Sequence, residues 1–341
     1  MSQPIALLIN DIHISKDTIS EFELNWNEML SVCARNHIYD IIVGGDMFTS
    51  RSSQTLAVLL AVKRALDRAV RNGLYVTIAE GNHDKVDLKS VEGYNHLWIG
   101  QKDIDIVDDF RLISWNSCDF AILVISYFPE SSEFIKHFEK ACENLEGFKK
   151  DEVILYLHEG IHGALGSFEI EGELPQDIFA GFKVVLCGHY HNRIRIKGTN
   201  IEYIGSSRQH NFGEDEEKGY TIIFDDGSFE FVKNQVNTRY KVIEVDADEI
   251  SSLSLEGADR RYKHKLKVKC DEKQSKLFDK QEMLDKGFDK VEVVSENPAS
   301  VESIKADIQT KYDHAGIRKE YRLYCDERSI DSKLGIKYLG D

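Results

Sequence analysis

This sequence predicts a layered α/β protein followed by a small α+β unit, on three observations. Through the first two thirds of its 341 residues, short β-rich apolar runs alternate with stretches of helical periodicity, the pattern of strands covered by helices. Most of those runs stop at a cluster of polar residues. After about residue 239 the character changes, and no further cluster of metal-binding side chains follows. A chain longer than the ~100–200 residues of a single domain suits that division, with one domain at 1–238 and an accessory one at 239–341.

Taken in order, the runs at about 4–10, 39–44, 74–79, 119–127, 151–157 and 182–187 read as strands, being short and rich in β-formers. Apolar spacing near 3.6 predicts helices at about 20–36, 54–71, 87–98 and 131–144. In the second of these, Leu56, Leu59, Leu60, Val62, Ala65 and Leu66 form a stripe that packs on a sheet by default. From about 199 to 233 the pattern is strand and hairpin, with Asp225-Asp226-Gly227 turning between Tyr220–Phe224 and Ser228–Val232. The accessory unit reads as strands Tyr240–Val245 and His264–Cys270, helix Glu272–Lys286, strand Lys290–Val294, helix Ser300–Tyr312 and strand Lys319–Cys325.

Composition narrows the class. Hydrophobic residues at 42% and charged residues at 30% are those of an ordinary globular protein, not of a disordered one. The apolar run Ile5–Ile9 is too short for a signal peptide or a membrane span, so a cytoplasmic protein without membrane attachment is expected. Cys33, Cys118, Cys142, Cys187, Cys270 and Cys325 are scattered, with no CxxC pair, and read as reduced thiols. A net charge of −16 opposes broad attraction to phosphates; were DNA the substrate, metals and a partner would have to supply positive charge.

The chemistry lies in five clusters: Asp11-Ile12-His13, Gly44-Gly45-Asp46, Gly81-Asn82-His83-Asp84, His158, and Gly188-His189-Tyr190-His191. Residues just beyond the carboxyl ends of strands in an α/β sheet converge on one crevice, so clusters far apart in sequence can meet. Together they supply carboxylate, amide and imidazole donors enough for two cations, and a carboxylate such as Asp46 can bridge a pair ~3.5–4 Å apart. Mixed imidazole and carboxylate donors suit manganese, iron or zinc better than magnesium or calcium.

The ordered set DxH, GD, GNHD, H and GHxH over roughly residues 5–210 resembles the calcineurin-like metallophosphoesterases. Gly45-Asp46-Met47-Phe48, Tyr203-Ile204-Gly205-Ser206-Ser207 and Phe212-Gly213-Glu214 make it most similar to the SbcD-type nuclease subunits, including the small recombination-nuclease subunits of bacteriophages. The resemblance implies a four-layer α/β/β/α sandwich with a small C-terminal α+β capping domain that contacts a partner. It implies one metal on Asp11, His13, Asp46 and His191 and another on Asp46, Asn82, His158 and His189, with manganese expected and Fe2+ or Zn2+ as alternatives. His83 would protonate the leaving 3′ oxygen, with Asp84 orienting its ring, and Arg193, Ser206 and Arg208 are candidate contacts to DNA. The implied activity is 3′-to-5′ exonuclease on duplex DNA and endonuclease on single strands. Implied partners are DNA, a second copy of the chain through parts of 54–70 and 87–98, and an SbcC-like coiled-coil ABC ATPase, in the cytoplasm and near the nucleoid, or in the host cytoplasm for a viral chain. Where some of the family carry a histidine three residues after the bridging aspartate, this sequence has Thr49.

Two readings are set aside. His158-Glu159-Gly160-Ile161-His162 spells the HExxH of zinc proteases, but that motif needs a helix, and the β-like Val153–Leu157 with Gly160, Gly163 and Gly166 opposes one. The run Glu214-Asp215-Glu216-Glu217 reads as a solvated acidic loop.

Overall fold

The structure is a computed structural model, and it describes residues 2–86, 92–166, 172–253, 255, 258–271, 274–275, 278–295 and 325. By contact the chain divides into two compact units, Met1–Lys241 with Ala258–Lys263, and Val242–Gly257 with His264–Asp341.

Among its described residues the first unit holds twelve strands: β1 (Pro4–Ile9), β2 (Asp40–Gly44), β3 (Tyr75–Ala79), β4 (Ile104–Val107), β5 (Phe110–Ser114), β6 (Ala121–Ile125), β7 (Val153–Leu157), β8 (Val184–Cys187), β9 (Ile194–Arg195), β10 (Ile201–Tyr203), β11 (Gly219–Phe224) and β12 (Phe229–Lys233). Its longer helices are α1 (Ile19–Asn36), α2 (Leu56–Arg71) and α3 (Ser131–Glu143). The strands form two six-stranded sheets, ordered β12-β11-β1-β2-β3-β4 and β5-β6-β7-β8-β10-β9. β1 to β4 run parallel, as do β6, β7, β8 and β10.

Strand periodicity explains the layering. Successive side chains of a strand point to opposite faces, so Leu7, Ile9, Ile41 and Val43 enter one core with Phe22, Trp26 and Met29 of α1 and Val58, Val62 and Leu66 of α2. Their neighbours Ala6, Leu8 and Ile42 enter a second core with Ile122, Val124, Ile154, Tyr156 and Leu186 of the other sheet. On the far face of that sheet, Leu123, Ile125, Leu155 and Leu157 pack with Phe134 and Phe138 of α3. Helix, sheet, sheet and helix follow one another, which is the α/β/β/α sandwich expected.

β13 (Arg239–Asp246) and β14 (Tyr262–Cys270), whose greater parts lie in the second unit, form a three-stranded sheet with β15 (Lys290–Ser295), β14 and β15 being parallel. Leu266, Val268 and Cys270 pack there with Met283 of the short helix α4 (Lys280–Asp285) and with Phe288.

Several elements differ from expectation. β4 and β5 were not foreseen, and of the helix expected at 87–98 the described residues, 92–98, hold a 3₁₀ stretch at Tyr94–Trp98. Of the helix expected over Glu272–Lys286, the described residues are helical at 274–275 and again at Lys280–Asp285, with 278–279 non-helical between them, and Asp279 caps the second stretch by accepting from the Gln281 and Glu282 amides. Ser300–Tyr312 and all of Lys319–Cys325 except Cys325 itself lie outside the described residues. Among the described residues no helix is long and apolar enough to cross a membrane, and all six cysteines are free.

Candidate metal centre

The parallel strands bring the clusters together. The loop after β1 is laced to the loop after β2, the Asp11 amide donating to Gly45 O at 3.1 Å and the His13 amide to Asp46 O at 3.0 Å. Asp11, His13, Asp46 and His189 all have positive φ, of 49°, 49°, 52° and 87°. Backbone strain of this kind persists only where surrounding contacts impose it, and it gathers at functional sites. The loop after β3 lies so close to Asp46 that a Cβ on Gly81 would stand 2.3 Å from Asp46 Oδ1, so glycine is required there.

Two overlapping groups of donor atoms result. Asp11, His13 and His191 form one and Asp11, Asp46 and His158 the other, the donor atoms of each lying within 4.8 Å of one another. Asp46 Oδ2 stands 3.4 Å from both His13 Nε2 and His158 Nε2, and Asp11 Oδ1 stands 3.8 Å from both His158 Nε2 and His191 Nε2. Either carboxylate reaches both halves. Asn82 Oδ1 lies 3.1 Å from His189 Nδ1 at the margin of the second half.

The donor set fits divalent cations. Asp11 Oδ1 and His158 Nε2 are buried without a hydrogen-bond partner, a costly condition that a cation would relieve. His13 Nδ1 faces Phe48 O at 3.2 Å and His158 Nδ1 faces Gly44 O at 2.8 Å, so a proton on each Nδ1 leaves each Nε2 lone pair turned inward. His13 Nε2 and His191 Nε2 are 3.0 Å apart, a repulsive contact between lone pairs unless a positive charge joins them.

Without a cation the charges are in conflict. Burial raises the Asp11 carboxyl above its ordinary range. Burial opposes ionisation of Asp46 as well, yet the neighbouring His158 and His13 hold it well below that range. Burial alone would depress His158, but Asp46 and Asp11 carry it up to about 10, while burial keeps His13 down at about 3 and His189 at about 4. In the metal-free protein His158 thus holds a proton that a cation would displace.

The remaining site residues divide. His83 is half-buried, edge-on to His13 with ring centroids 4.9 Å apart, and its amide donates to Asp46 Oδ1 at 2.7 Å. The expectation that Asp84 orients its ring needs correction. His83 Nδ1 is held by Thr49 O at 2.7 Å, while Asp84 is buried and accepts from the Phe48 amide at 3.1 Å and the Gly81 amide at 2.8 Å. It staples two loops together. Burial, then Asp46, pushes its carboxyl up to about 7.

The proposed DNA contacts are corrected likewise. Arg208 is 3% exposed and donates to His13 O at 3.0 Å, and Ser206 is fully buried with its hydroxyl on Arg208 O at 2.8 Å. Arg193 is committed to Glu202 at 2.6 Å and to Ile204 O at 3.1 Å. Arg208 and Ser206 serve the protein interior, while Arg193 is paired but partly exposed. His158 follows β7 directly, no helix carries it to His162, and the HExxH spelling is therefore accidental. Two residues of the site were missed: Glu214, 2.9 Å from His191 Nδ1, and His210, whose Nε2 lies 2.9 Å from Asp11 O. The Phe212-Gly213-Glu214 likeness pointed at this segment, but nothing in it pointed at those bonds.

The family that matches this sequence agrees with the geometry. The sequence model described as calcineurin-like phosphoesterase matches residues 6–193. A protein named as a phosphoesterase, 078R of Invertebrate iridescent virus 3, is 23% identical over 305 residues, covering 84% of this chain and 83% of its own. The SbcD subunit of the SbcCD nuclease of Staphylococcus saprophyticus is 24% identical over 209 residues, and the match spans only about half of each protein, 54% of this chain and 54% of that one. A crystal structure of Pseudomonas putida nuclease MPE matches with TM-score 0.28 at 20% identity, over 57% of this chain and 64% of that one.

Proposed function

The chain belongs to the calcineurin-like phosphoesterase family, and from that premise we propose that this metal-dependent phosphoesterase is a DNA nuclease subunit of the SbcD type. The observation that carries the chemistry is the convergence of Asp11, His13, Asp46, His158 and His191 around buried donor atoms with no protein partner. The nuclease assignment is supported by the match to the staphylococcal SbcD protein and by the sequence details shared with such nucleases. Asp11, His13, Asp46 and His191 would hold one cation and Asp46, Asn82, His158 and His189 the other, manganese being the expected metal. When bound, such a pair lowers the pKa of a water and neutralises charge on a phosphoryl group.

The chain's own residues do the rest. His83 stands beside the centre with its ring held by the Thr49 carbonyl and its amide by Asp46, and in this reading it gives a proton to the leaving 3′ oxygen. Proposed activities are 3′-to-5′ exonuclease on duplex DNA and endonuclease on single strands, in a cytoplasmic complex with an SbcC-like ATPase. The net charge of −16 is a reason for DNA to be held largely by that partner. A homodimer is proposed through parts of 54–70 and 87–98, where Leu56, Leu60 and Leu97 are exposed. Residues 239–341 are proposed to cap the nuclease and contact the partner, since no proposed ligand lies beyond His191.

The test is cleavage of plasmid and of single-stranded circles with manganese, set against nucleotides and phosphopeptides, with and without the coiled-coil ATPase. Manganese-dependent nicking of the circles is the expected result. Turnover confined to the small substrates would replace the nuclease with a small-molecule phosphoesterase.

A further inference from the structure

We propose that Glu214 is a positioning residue for His191 and, through it, governs only one of the two cations. The inference rests on the two-metal reading above and deepens it. Glu214 lies in the acidic run that reads as a solvated loop, yet its side chain is only 8% exposed. Oε1 stands 2.9 Å from His191 Nδ1 and accepts from Asn211 Nδ2 at 2.8 Å, while Oε2 accepts from the His210 amide at 3.0 Å. Lys218 Nζ, 3.8 Å from Oε2, donates to His191 O at 2.6 Å, so the histidine backbone and its ring partner are tied to one group. With its carboxylate held on several sides, Glu214 has little freedom to turn away.

Comparison with the other candidate ligands shows why this bond matters. Among the described ligand histidines, His191 alone has a carboxylate on its outer nitrogen; His13 and His158 face peptide carbonyls there, and His189 Nδ1 lies beside Asn82 Oδ1, a proposed donor to the same cation. His13 and His158 are 9% and 0% exposed, so packing orients their rings, whereas His191 is 28% exposed. Its ring needs an anchor that packing does not provide. A carboxylate on Nδ1 fixes the proton there, turns the Nε2 lone pair inward and strengthens it as a donor. His191 Nε2 faces His13 Nε2, which belongs to one half of the centre, and Asp11 Oδ1, which reaches both.

The segment around Glu214 braces the same half. The Ser206 amide bonds His191 O at 2.9 Å, the Ser207 amide Asn10 O at 3.1 Å, Arg208 Nη2 His13 O at 3.0 Å and His210 Nε2 Asp11 O at 2.9 Å. One bracket, Ser206–Lys218, thus supports Asp11, His13 and His191, and Glu214 is its link to a donor atom.

The test is manganese titration of the metal-free full chain, with affinity read by calorimetry and site occupancy by the electron paramagnetic resonance of Mn2+. Glu214→Gln is expected to weaken one of the two ions about 10–100-fold and to leave the other unchanged. In a His191→Ala background the same substitution is expected to add nothing, because Glu214 acts through that ring. Equal weakening of both ions, no weakening of either, or additive losses in the double variant would overturn the proposal. Should Glu214→Gln not fold, Glu214→Asp, which keeps the charge and shortens the reach, is expected to show the same one-sided loss. A wild-type chain that does not bind two manganese ions refutes the two-metal reading itself, a result separable from all of these.

Discussion

Asp11, His13 and His191 are held differently from Asp46, Asn82 and His158. The first set shares backbone bonds, Phe48 O on the His13 ring among them, but leans in addition on side chains from a distant stretch of sequence, the guanidinium of Arg208, the imidazole of His210 and the carboxylate of Glu214. The second is set by backbone: Gly44 O holds His158, the Gly81 loop presses on Asp46, and the His83 amide donates to Asp46 Oδ1. A half built on backbone is as stiff as the sheets that carry it, whereas one built on side chains can be loosened by a single substitution. The two cations should therefore respond unequally to mutation, and removal of a shared carboxylate should erase the inequality.

The largest effect should come from that removal. Asp46→Ala is expected to empty both positions and take diester turnover to background, whereas His191→Ala should cost one ion; elemental analysis of the purified variants decides, and two tight ions retained in Asp46→Ala would end the bridging role. Next in size is His83→Ala. It should lower turnover about 10²–10⁴-fold while both ions stay bound, and should spare a diester with a nitrophenolate leaving group, which needs no acid. Loss of a metal in that variant would place His83 among the ligands instead.

A smaller effect is expected at Asp84. Its oxygens accept from the Phe48 and Gly81 amides, so Asp84→Asn sets an amide group against a backbone N–H and should cost about 1–3 kcal/mol of stability, measured by denaturant unfolding. A rate loss like that of His83→Ala with stability intact would restore the direct link between Asp84 and His83.

The smallest effect is one of pH. Glu80 is fully buried beneath the same loop, and burial followed by Asp84 pushes its carboxyl up to about 9. With the folded pKa above the unfolded one, its contribution is complete below the usual carboxylate range and is lost as pH rises towards 9. In chelator, the melting temperature should fall over that window, and Glu80→Gln should flatten part of the fall. An unchanged slope in Glu80→Gln would exclude this residue as the source.

These distinctions mark where the sequence is readable. Strands buried on both faces, such as Val153–Leu157, announce themselves as apolar runs, and the polar cluster after each run marks the carboxyl end of a strand. β4 and β5 were missed because Ile104–Val107 and Phe110–Ser114 are short and interrupted by charges. The hold of Thr49 on His83 was illegible for another reason, since a backbone carbonyl has no residue type to betray it. Glu214 was misread because burial depends on how residues 206–218 fold back against the loop after β1, and an acidic run looks the same whether solvated or enclosed. Residues expected to touch DNA failed similarly: Arg208 carries the right charge and is spent inside the protein.

The central claim is that the five clusters make one two-cation centre that hydrolyses phosphodiesters. It is tested most directly by titrating manganese into the metal-free chain while following hydrolysis of bis-p-nitrophenyl phosphate. Turnover should appear only as the second ion binds, at a stoichiometry of two per chain. Turnover complete with one ion, or absent at any occupancy, would contradict it.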